Sequence, residues 1–246
     1  MQKLSEVTAV ILAGGLGTRL RSVVSGRPKV LAEVSGRPFL SYLLDQLVRF
    51  GLREAVLCTG YLGDQVEAVF QEKYHSLRLS YSKEIVPLGT GGALRLAFPM
   101  FKTDSVLVMN GDSFCGADLG AFWLWHLLQK ANGTLLLAEA TDMSRYGRVV
   151  VDGKGRVVRF IEKDGQGESG WINAGIYLIR REFLLAVPEG VAVSLEREVF
   201  PSWVGRGLFA YMGQGRFIDI GIPEAYGEAG KVLRQFPTYP GSPSVR

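Results

Sequence analysis

Residues 9–30 of the chain read AVILAGGLGTRLRSVVSGRPKV, and this segment holds its most informative pattern. An apolar run that ends at Ala13 predicts a buried strand, and Gly14, Gly15 and Gly17 follow it directly. Glycines let a backbone approach a bulky anion, because no Cβ stands in the way. Unpaired N–H groups in such a turn, and the start of a following helix, attract negative charge. The turn therefore predicts a site for a polyphosphate.

Two basic residues follow the glycine turn. Arg19 comes directly after Thr18, and Lys29 comes directly after Pro28. Their positive charges can neutralise phosphate oxygens. The segment is neither a Walker A loop, which needs G-K-[ST], nor a G-x-G-x-x-G dinucleotide fingerprint. On the glycines alone, an ordinary turn after a buried strand stays an alternative.

Length and composition restrict the class of protein. The 246 residues and 47% hydrophobic content predict one large α/β domain, with or without a small lobe. The net charge of +4 is spread without basic runs, which argues against nucleic acid and suits small anionic substrates. Cys58 and Cys115 lack metal or redox spacing, so we expect buried thiols in a reducing cytoplasm. Neither a signal peptide nor an apolar run of about 18 residues is visible, so we expect no membrane partner.

Apolar runs alternate with amphipathic segments through the first half. The predicted strands are Val7–Ala13, Ala55–Thr59, Leu77–Ser82, Ser105–Asn110 and Thr134–Glu139. The predicted helices are Pro38–Phe50, Asp64–Phe70, Gly92–Phe98 and Leu119–Lys130. This alternation predicts a mostly parallel sheet with helices on both faces, and ligands at the carboxyl ends of its strands.

The second half predicts a smaller, β-rich lobe. Its elements are a hairpin of Arg148–Val151 and Arg156–Ile161, a strand at Trp171–Ile179, a short helix that Ser194 caps and Pro201 stops, and a last helix at Pro223–Arg234. We expect residues 1–236 to form a single domain and residues 237–246, which are rich in proline, to be a disordered tail.

Two aspartates follow short apolar runs. Asp112 lies in N-G-D-S-F and Asp219 lies in F-I-D-I-G. Mg²⁺ takes oxygen ligands, often one or two carboxylates together with substrate phosphates. Each aspartate can equally cap a turn, which is a common role for Asp after a strand.

A loop at residues 81–94 reads YSKEIVPLGTGGAL. Pro87 and Gly89 restrict its backbone, and the glycines at 91 and 92 lead into a helix. Such a loop can form a wall beside a planar base, although an ordinary entry into a helix explains the pattern equally well.

The whole string L-A-G-G-x-G-T-R-L…R-P-K resembles the signature of the sugar-1-phosphate nucleotidylyltransferases. The resemblance extends from Val7 to about Arg234, and residues 58–64, 86–93 and 216–224 are most similar to the D-glycero-α-D-manno-heptose 1-phosphate guanylyltransferases of bacteria. It implies a Rossmann-like fold and transfer of GMP from GTP to a sugar 1-phosphate, with release of pyrophosphate. Heptose activation would suggest a role in cell-surface glycan assembly. Mannose 1-phosphate with GTP, or a hexose or muramic sugar with UTP or dTTP, stays open.

The resemblance also implies roles for individual residues. It implies catalytic roles for Arg19 and Lys29, and Mg²⁺ ligation by Asp112 and Asp219. The implied nucleotide-binding residues are Leu12, Ala13, Gly14, Gly15, Gly17, Thr18, Glu84, Pro87, Gly89 and Thr90. The implied residues for the sugar phosphate are Asn110, Gly147, Glu162, Lys163 and Asn173. Glu84 would accept hydrogen bonds from the N1–H and exocyclic amine of guanine.

Functions of other classes are weaker alternatives. A glycosyltransferase would need D-x-D after the central strand, where this chain has N-G-D. A non-catalytic nucleotide-sugar sensor would be expected to have lost Lys29 or an aspartate. No G-x-S-x-G elbow is present for a serine hydrolase, and His75 and His126 lack catalytic spacing. The oligomeric state is not readable, so a homodimer stays open.

Overall fold

The computed structural model describes residues 3–20, 23–141, 143, 146, 148–161, 169–239 and 243. The strands are β1 Thr8–Ala13, β2 Glu33–Val34, β3 Arg37–Pro38, β4 Glu54–Thr59, β5 Lys73–Tyr74, β6 Leu77–Lys83, β7 Ser105–Asn110, β8 Ser113–Cys115, β9 Gly133–Ala140, β10 Arg148–Val151, β11 Val157–Ile161, β12 Gly170–Arg180, β13 Leu208–Met212 and β14 Phe217–Asp219. The α-helices are α1 Phe39–Arg49, α2 Gly63–Phe70, α3 Gly89–Ala97, α4 Leu119–Leu128, α5 Phe200–Trp203 and α6 Pro223–Leu233. A π-helical turn spans Leu195–Val199.

A ten-stranded sheet runs through the molecule in the order β11-β10-β12-β7-β1-β4-β6-β5, with β9 between β12 and β13. Its central strands β7, β1, β4 and β6 are parallel to their neighbours in that group. Strand β12 pairs antiparallel with both β7 and β9. The predicted α/β fold with a parallel sheet is confirmed, and the second half adds the antiparallel strands.

Both faces of the sheet are covered. In β1, Ala9 and Ile11 point into a core shared with α1, α2, α4 and α6. Val10 points into the opposite core, which contains residues of α3, α5 and the π-helical turn. Parallel strands with helices on both faces are apolar at nearly every position, and this explains the continuous run AVILA.

Local sequence signals place most of the turns. The Ser194 hydroxyl accepts from the backbone N–H of Arg197 at 3.2 Å, so the predicted cap is confirmed. The predicted stop at Pro201 is wrong, because α5 continues from Phe200 to Trp203. Pro201 lies in the first turn of α5, where a helix does not need the N–H that proline lacks.

His126 and the two cysteines, whose thiols were predicted to be buried, all lie in the interior. His126 is 2% exposed and contacts Thr134 Oγ1 through Nδ1 at 2.8 Å, so it packs in the core. Burial raises the pKa of the free thiols of Cys58 and Cys115 to about 12 and about 11. Across the described residues, no helix combines the length and apolar character that crossing a membrane requires.

Candidate active site

The glycine turn lies at the carboxyl end of β1, beside a cavity of about 250 Å³. A Cβ on Gly14 would stand 2.6 Å from Glu84 Oε1, so a side chain at this position would collide with that carboxyl group. A Cβ on Gly15 would meet nothing within 4 Å, so packing does not explain this glycine. Gly17 adopts a φ of +58°, a left-handed conformation that favours glycine. The space in front of Gly15 suits a ligand that approaches the backbone closely.

A lysine and two aspartates meet beside this turn. The Lys29 ammonium donates to Asp112 Oδ2 at 2.7 Å, and its Nζ lies 3.9 Å from Asp219 Oδ1. Strand β14 pairs with β8, and the backbone N–H of Ile220 donates to the Asp112 carbonyl at 2.9 Å. This pairing brings the distant aspartates to one place. The side chains are 10%, 43% and 30% exposed for Lys29, Asp112 and Asp219, so solvent reaches all three.

The two carboxyl groups disturb each other. Burial raises the pKa of Asp219, and the negative charge of Asp112 raises it further. Lys29, the N–H of Gly221 and Arg19 act in the opposite direction. Arg19 is exposed in the 3-10 turn Thr18–Leu20, and its positive charge is the weakest of these influences on the pKa of Asp219. The cluster thus combines two acceptor carboxylates with the positive charge of Lys29.

Glu84 forms one wall of the same cavity. Its carboxyl group lies against the glycines at 14 and 60, and its Oε2 accepts from the backbone N–H of Leu88 at 3.0 Å. Burial raises the pKa of Glu84 despite that hydrogen bond. The apolar parts of the wall come from Leu12, Pro87 and other residues. A largely apolar cavity with a carboxylate in its wall can hold a base that carries N–H donors.

Eight of the ten residues predicted for the nucleotide line this cavity, namely Leu12, Ala13, Gly14, Gly15, Glu84, Pro87, Gly89 and Thr90. Gly17 lines a neighbouring cavity of about 150 Å³ together with Lys29. Thr18 is exposed in a 3-10 turn beside them. Of the residues predicted for the sugar phosphate, Asn110 lines the main cavity. Gly147, Glu162 and Lys163 lie outside the described residues.

Asn173 belongs to a hydrogen-bonded chain. Its Oδ1 accepts from the backbone N–H of Gly175 at 2.9 Å, and its Nδ2 donates to the Tyr177 hydroxyl at 2.9 Å. Tyr177 in turn donates to Glu196 Oε1 at 3.0 Å. Thr90 donates to Glu196 Oε2 at 2.8 Å. These hydrogen bonds therefore connect Asn173, which was predicted to bind the sugar phosphate, to Thr90, which was predicted to bind the nucleotide.

Comparison with known proteins establishes the class. Residues 8–235 match the protein family described as Nucleotidyl transferase. The chain belongs to this family. The family resemblance of the glycine and lysine motifs is confirmed, and the chain is an enzyme of the nucleotidyl transferase type.

Three relatives of this nucleotidyl transferase are informative. D-glycero-alpha-D-manno-heptose 1-phosphate guanylyltransferase of Aneurinibacillus thermoaerophilus is 36% identical, over 93% of this chain and 99% of its own length. Mannose-1-phosphate guanylyltransferase of Mycobacterium tuberculosis is also 36% identical, but this chain covers 63% of it. The crystal structure of HddC from Yersinia pseudotuberculosis complexed with GMP-PN has a TM-score of 0.81 and 32% identity, over 94% of this chain and 100% of that one.

Sequence reasoning missed two residues of this transferase that touch the predicted site. Tyr177 stands at the end of W-I-N-A-G-I-Y, where its alternation with apolar neighbours indicates only a buried strand. Glu196 follows the Ser194 cap, where acidic residues are ordinary in a first helical turn. The π-helical turn that contains Glu196 is a feature that often marks functional sites, and only the structure reveals it.

Proposed function

We propose that the protein transfers GMP from GTP to a sugar 1-phosphate, with D-glycero-α-D-manno-heptose 1-phosphate as the preferred acceptor. The observation that carries this proposal is the cluster of Lys29, Asp112 and Asp219 beside the glycine turn. The heptose assignment is supported by the 36% identity to a heptose 1-phosphate guanylyltransferase over almost its full length. The products would be GDP-heptose and pyrophosphate.

The proposed reaction needs positioned charge and no general base. The sugar phosphate is already an anion, so its oxygen can attack the α-phosphorus of GTP directly. A new P–O bond forms as the bond from the α-phosphorus to the bridging oxygen breaks, and pyrophosphate leaves with that electron pair. Lys29 and Arg19 would stabilise the negative charge that develops on the transferred and leaving groups. The burial of His126 in the core agrees with a scheme that uses no histidine.

The two aspartates are suitable ligands for Mg²⁺. Asp112 and Asp219 offer hard oxygen atoms, and both carboxylates lie within 4 Å of the Lys29 ammonium, beside the glycine turn. Substrate phosphates would complete the coordination, which is the usual arrangement for Mg²⁺. When bound, the ion would neutralise phosphate charge and help to align the reacting groups.

Glu84 supports the choice of guanine. Its carboxylate can accept from both the N1–H and the exocyclic amine of that base. The bare glycines at 14 and 60 leave the space in which the carboxyl group lies, and the N–H of Leu88 orients it. Uracil and thymine carry a single N–H donor on this edge, so they would form one hydrogen bond fewer with the Glu84 carboxylate than guanine would.

Mannose 1-phosphate is the second candidate acceptor, because the relative from Mycobacterium tuberculosis has the same 36% identity to this chain.

The chemistry of the substrates and thiols bears on the compartment. GTP and sugar phosphates are charged metabolites, and the buried free thiols suit a reducing compartment. We therefore propose that the reaction takes place in the cytoplasm.

A panel of GTP, ATP, UTP and dTTP against heptose, mannose and glucose 1-phosphates, read by pyrophosphate release, tests the proposal. We expect the highest kcat/KM for GTP with the heptose phosphate and a requirement for Mg²⁺. Preference for mannose 1-phosphate would correct the acceptor alone. Preference for a pyrimidine nucleotide, or no turnover with any pair, would overturn the proposal.

A further inference from the structure

The Tyr177 hydroxyl donates its one proton to Glu196. Glu196 accepts from Tyr177 through Oε1, and its Oε2 accepts from Thr90 at 2.8 Å and from Ser194 at 3.2 Å. A carboxylate has only acceptor atoms, so Tyr177 must supply the proton in its contact with Glu196. The phenolic oxygen can then only accept from its remaining neighbours.

Those neighbours are two amides. Asn173 donates to Tyr177 through Nδ2 at 2.9 Å. The Asn110 side chain faces the same strand, because its Nδ2 lies 2.8 Å from the place that a Cβ on Gly175 would take. Burial raises the pKa of the Tyr177 phenol well above its usual range, and the contact with the Asn110 side chain acts weakly in the opposite direction. Because the phenolic oxygen accepts, Asn110 must present its Nδ2 to Tyr177. The hydrogen-bond network thus assigns the orientation of the Asn110 amide and turns its carbonyl oxygen away from Tyr177.

The carbonyl oxygen of Asn110 has no partner within the protein. Its Oδ1 is buried, and no hydrogen-bond donor reaches it among the residues that the structure describes. The side chain lines the cavity beside the glycine turn. A buried acceptor without a donor destabilises a protein, so such an atom in a cavity points to a donor on the ligand.

The chemistry of the proposed substrates restricts that donor. Phosphate oxygens are acceptors and cannot pair with a carbonyl oxygen. The N–H groups of guanine are assigned above to Glu84, which follows β6, whereas Asn110 ends β7. Strands β1 and β4 lie between these two, and three strand spacings correspond to about 14 Å. A base that contacts Glu84 therefore leaves Asn110 to a hydroxyl group elsewhere on the substrates.

We propose that Asn110 accepts a hydrogen bond from a hydroxyl group of a bound substrate, and that Tyr177 and Glu196 are positioning residues that hold its amide in this orientation. The proposal rests on the proposed nucleotidyl transfer and refines the role of Asn110 from the sugar phosphate in general to a hydroxyl. The ribose of the nucleotide and the ring of the sugar phosphate both carry such groups. The enzyme should therefore discriminate against a substrate that lacks the hydroxyl group that Asn110 contacts.

Paired substrates on one enzyme test this selection. The wild-type enzyme is compared on GTP, 2′-deoxy-GTP and 3′-deoxy-GTP, and on mannose 1-phosphate and its 2-deoxy counterpart. We expect one deoxy substrate to lose roughly tenfold or more in kcat/KM, the scale for a buried acceptor left unpaired. A nucleotide deficit identifies the ribose, and a sugar deficit identifies the acceptor ring. In Asn110→Ala the same ratio should fall towards one, since both substrates then lack the contact.

Two further variants separate positioning from folding. Tyr177→Phe keeps the aromatic ring, whose centroid lies 4.8 Å from that of Phe200. It removes the hydroxyl oxygen that orients Asn110. We expect this variant to lose most of the discrimination between hydroxylated and deoxy substrates. Tyr211→Phe, which removes a hydroxyl from a ring packed against Phe122 on the other side of the sheet, is the matched control and should keep the ratio.

Calorimetric titration of the same ligands gives the ratio of dissociation constants without turnover. If no pair of substrates releases pyrophosphate, the proposed function fails, and the binding ratios still decide the role of Asn110. An unchanged ratio in Asn110→Ala, or equal use of every deoxy substrate by the wild-type enzyme, would overturn the proposal.

Discussion

Lys29 donates a hydrogen bond of 2.7 Å to Asp112 across 83 positions of sequence. Its ammonium group also lies 3.9 Å from Asp219, so one cation serves two carboxylates. Only 10% of the lysine side chain is exposed, and this restricts the conformations that it can adopt. The lysine is thus held at the edge of the glycine turn. In the proposed reaction a preorganised charge of this kind acts more strongly than one that must first reorganise.

Removal of this charge should slow turnover. We expect Lys29→Ala to lower kcat by roughly 10²-fold or more, the scale for loss of one preorganised contact to developing charge. The measurement is the rate of pyrophosphate release at saturating GTP and sugar phosphate. Lys154→Ala removes an exposed lysine from the β10–β11 turn and should leave the rate unchanged. A wild-type rate in Lys29→Ala would contradict the catalytic role.

The aspartates should control the response to magnesium. We expect Asp112→Asn and Asp219→Asn each to raise the Mg²⁺ concentration for half-maximal activity by about tenfold or more, since even outer-shell partners of metal ligands cost about 10- to 100-fold in affinity. Titration of activity with Mg²⁺ at fixed GTP measures the shift. Asp152→Asn, in the exposed hairpin turn, is the control. Unchanged titration curves in both site variants would remove the two-aspartate site.

Glu84 should govern the choice of base. In Glu84→Gln one oxygen becomes an NH₂ group, which opposes a donor of guanine instead of accepting from it. We expect kcat/KM for GTP to fall by about 10- to 100-fold, the scale for one hydrogen bond to a charged group. ITP lacks the exocyclic amine, so its deficit relative to GTP should shrink in the variant. An identical GTP to ITP ratio in wild type and Glu84→Gln would disprove direct contact with that amine.

His126 should make the fold sensitive to acid. Burial, with a smaller contribution from Arg180, lowers the pKa of His126 from 6.5 to about 4. Between these values the unfolded chain binds a proton that the folded chain does not, so the free energy of unfolding falls as the pH drops from about 6.5 to about 4. The loss is about 3 kcal/mol, at 1.36 kcal/mol for each unit of pKa. Urea unfolding across this pH range measures it.

The variant His126→Gln isolates the contribution of His126 to the pH dependence of stability. Asp219 and Glu84 have raised pKa values and act with the opposite sign, so the useful quantity is the difference between wild type and His126→Gln. We expect the variant to lose less stability than the wild type between pH 6.5 and 4. His75→Gln replaces the other histidine of the chain and should follow the wild-type curve. Parallel curves for wild type and His126→Gln would disprove the assignment.

Most strands and helix starts could be predicted from neighbouring residues in the sequence. The apolar run before Gly14 predicts β1 because a strand with two covered faces must be apolar throughout. Ser194 predicts a helix start because its hydroxyl can satisfy a free N–H of the first turn. The prediction that the helix ends at Pro201 was wrong, because a proline that can end one helix is equally suited to the first turn of the next.

The sequence by itself determined the strand and helix alternation, the glycine turn after β1 and the candidate chemical groups, because each depends on neighbouring residues. Only the tertiary structure decided which groups meet. The Lys29–Asp112 contact, the space that Gly14 leaves for Glu84, and the link from Tyr177 to Glu196 all join segments that are distant in the chain or meet through a fold-specific turn. Such contacts depend on strand order and pairing, which local steric preferences do not specify.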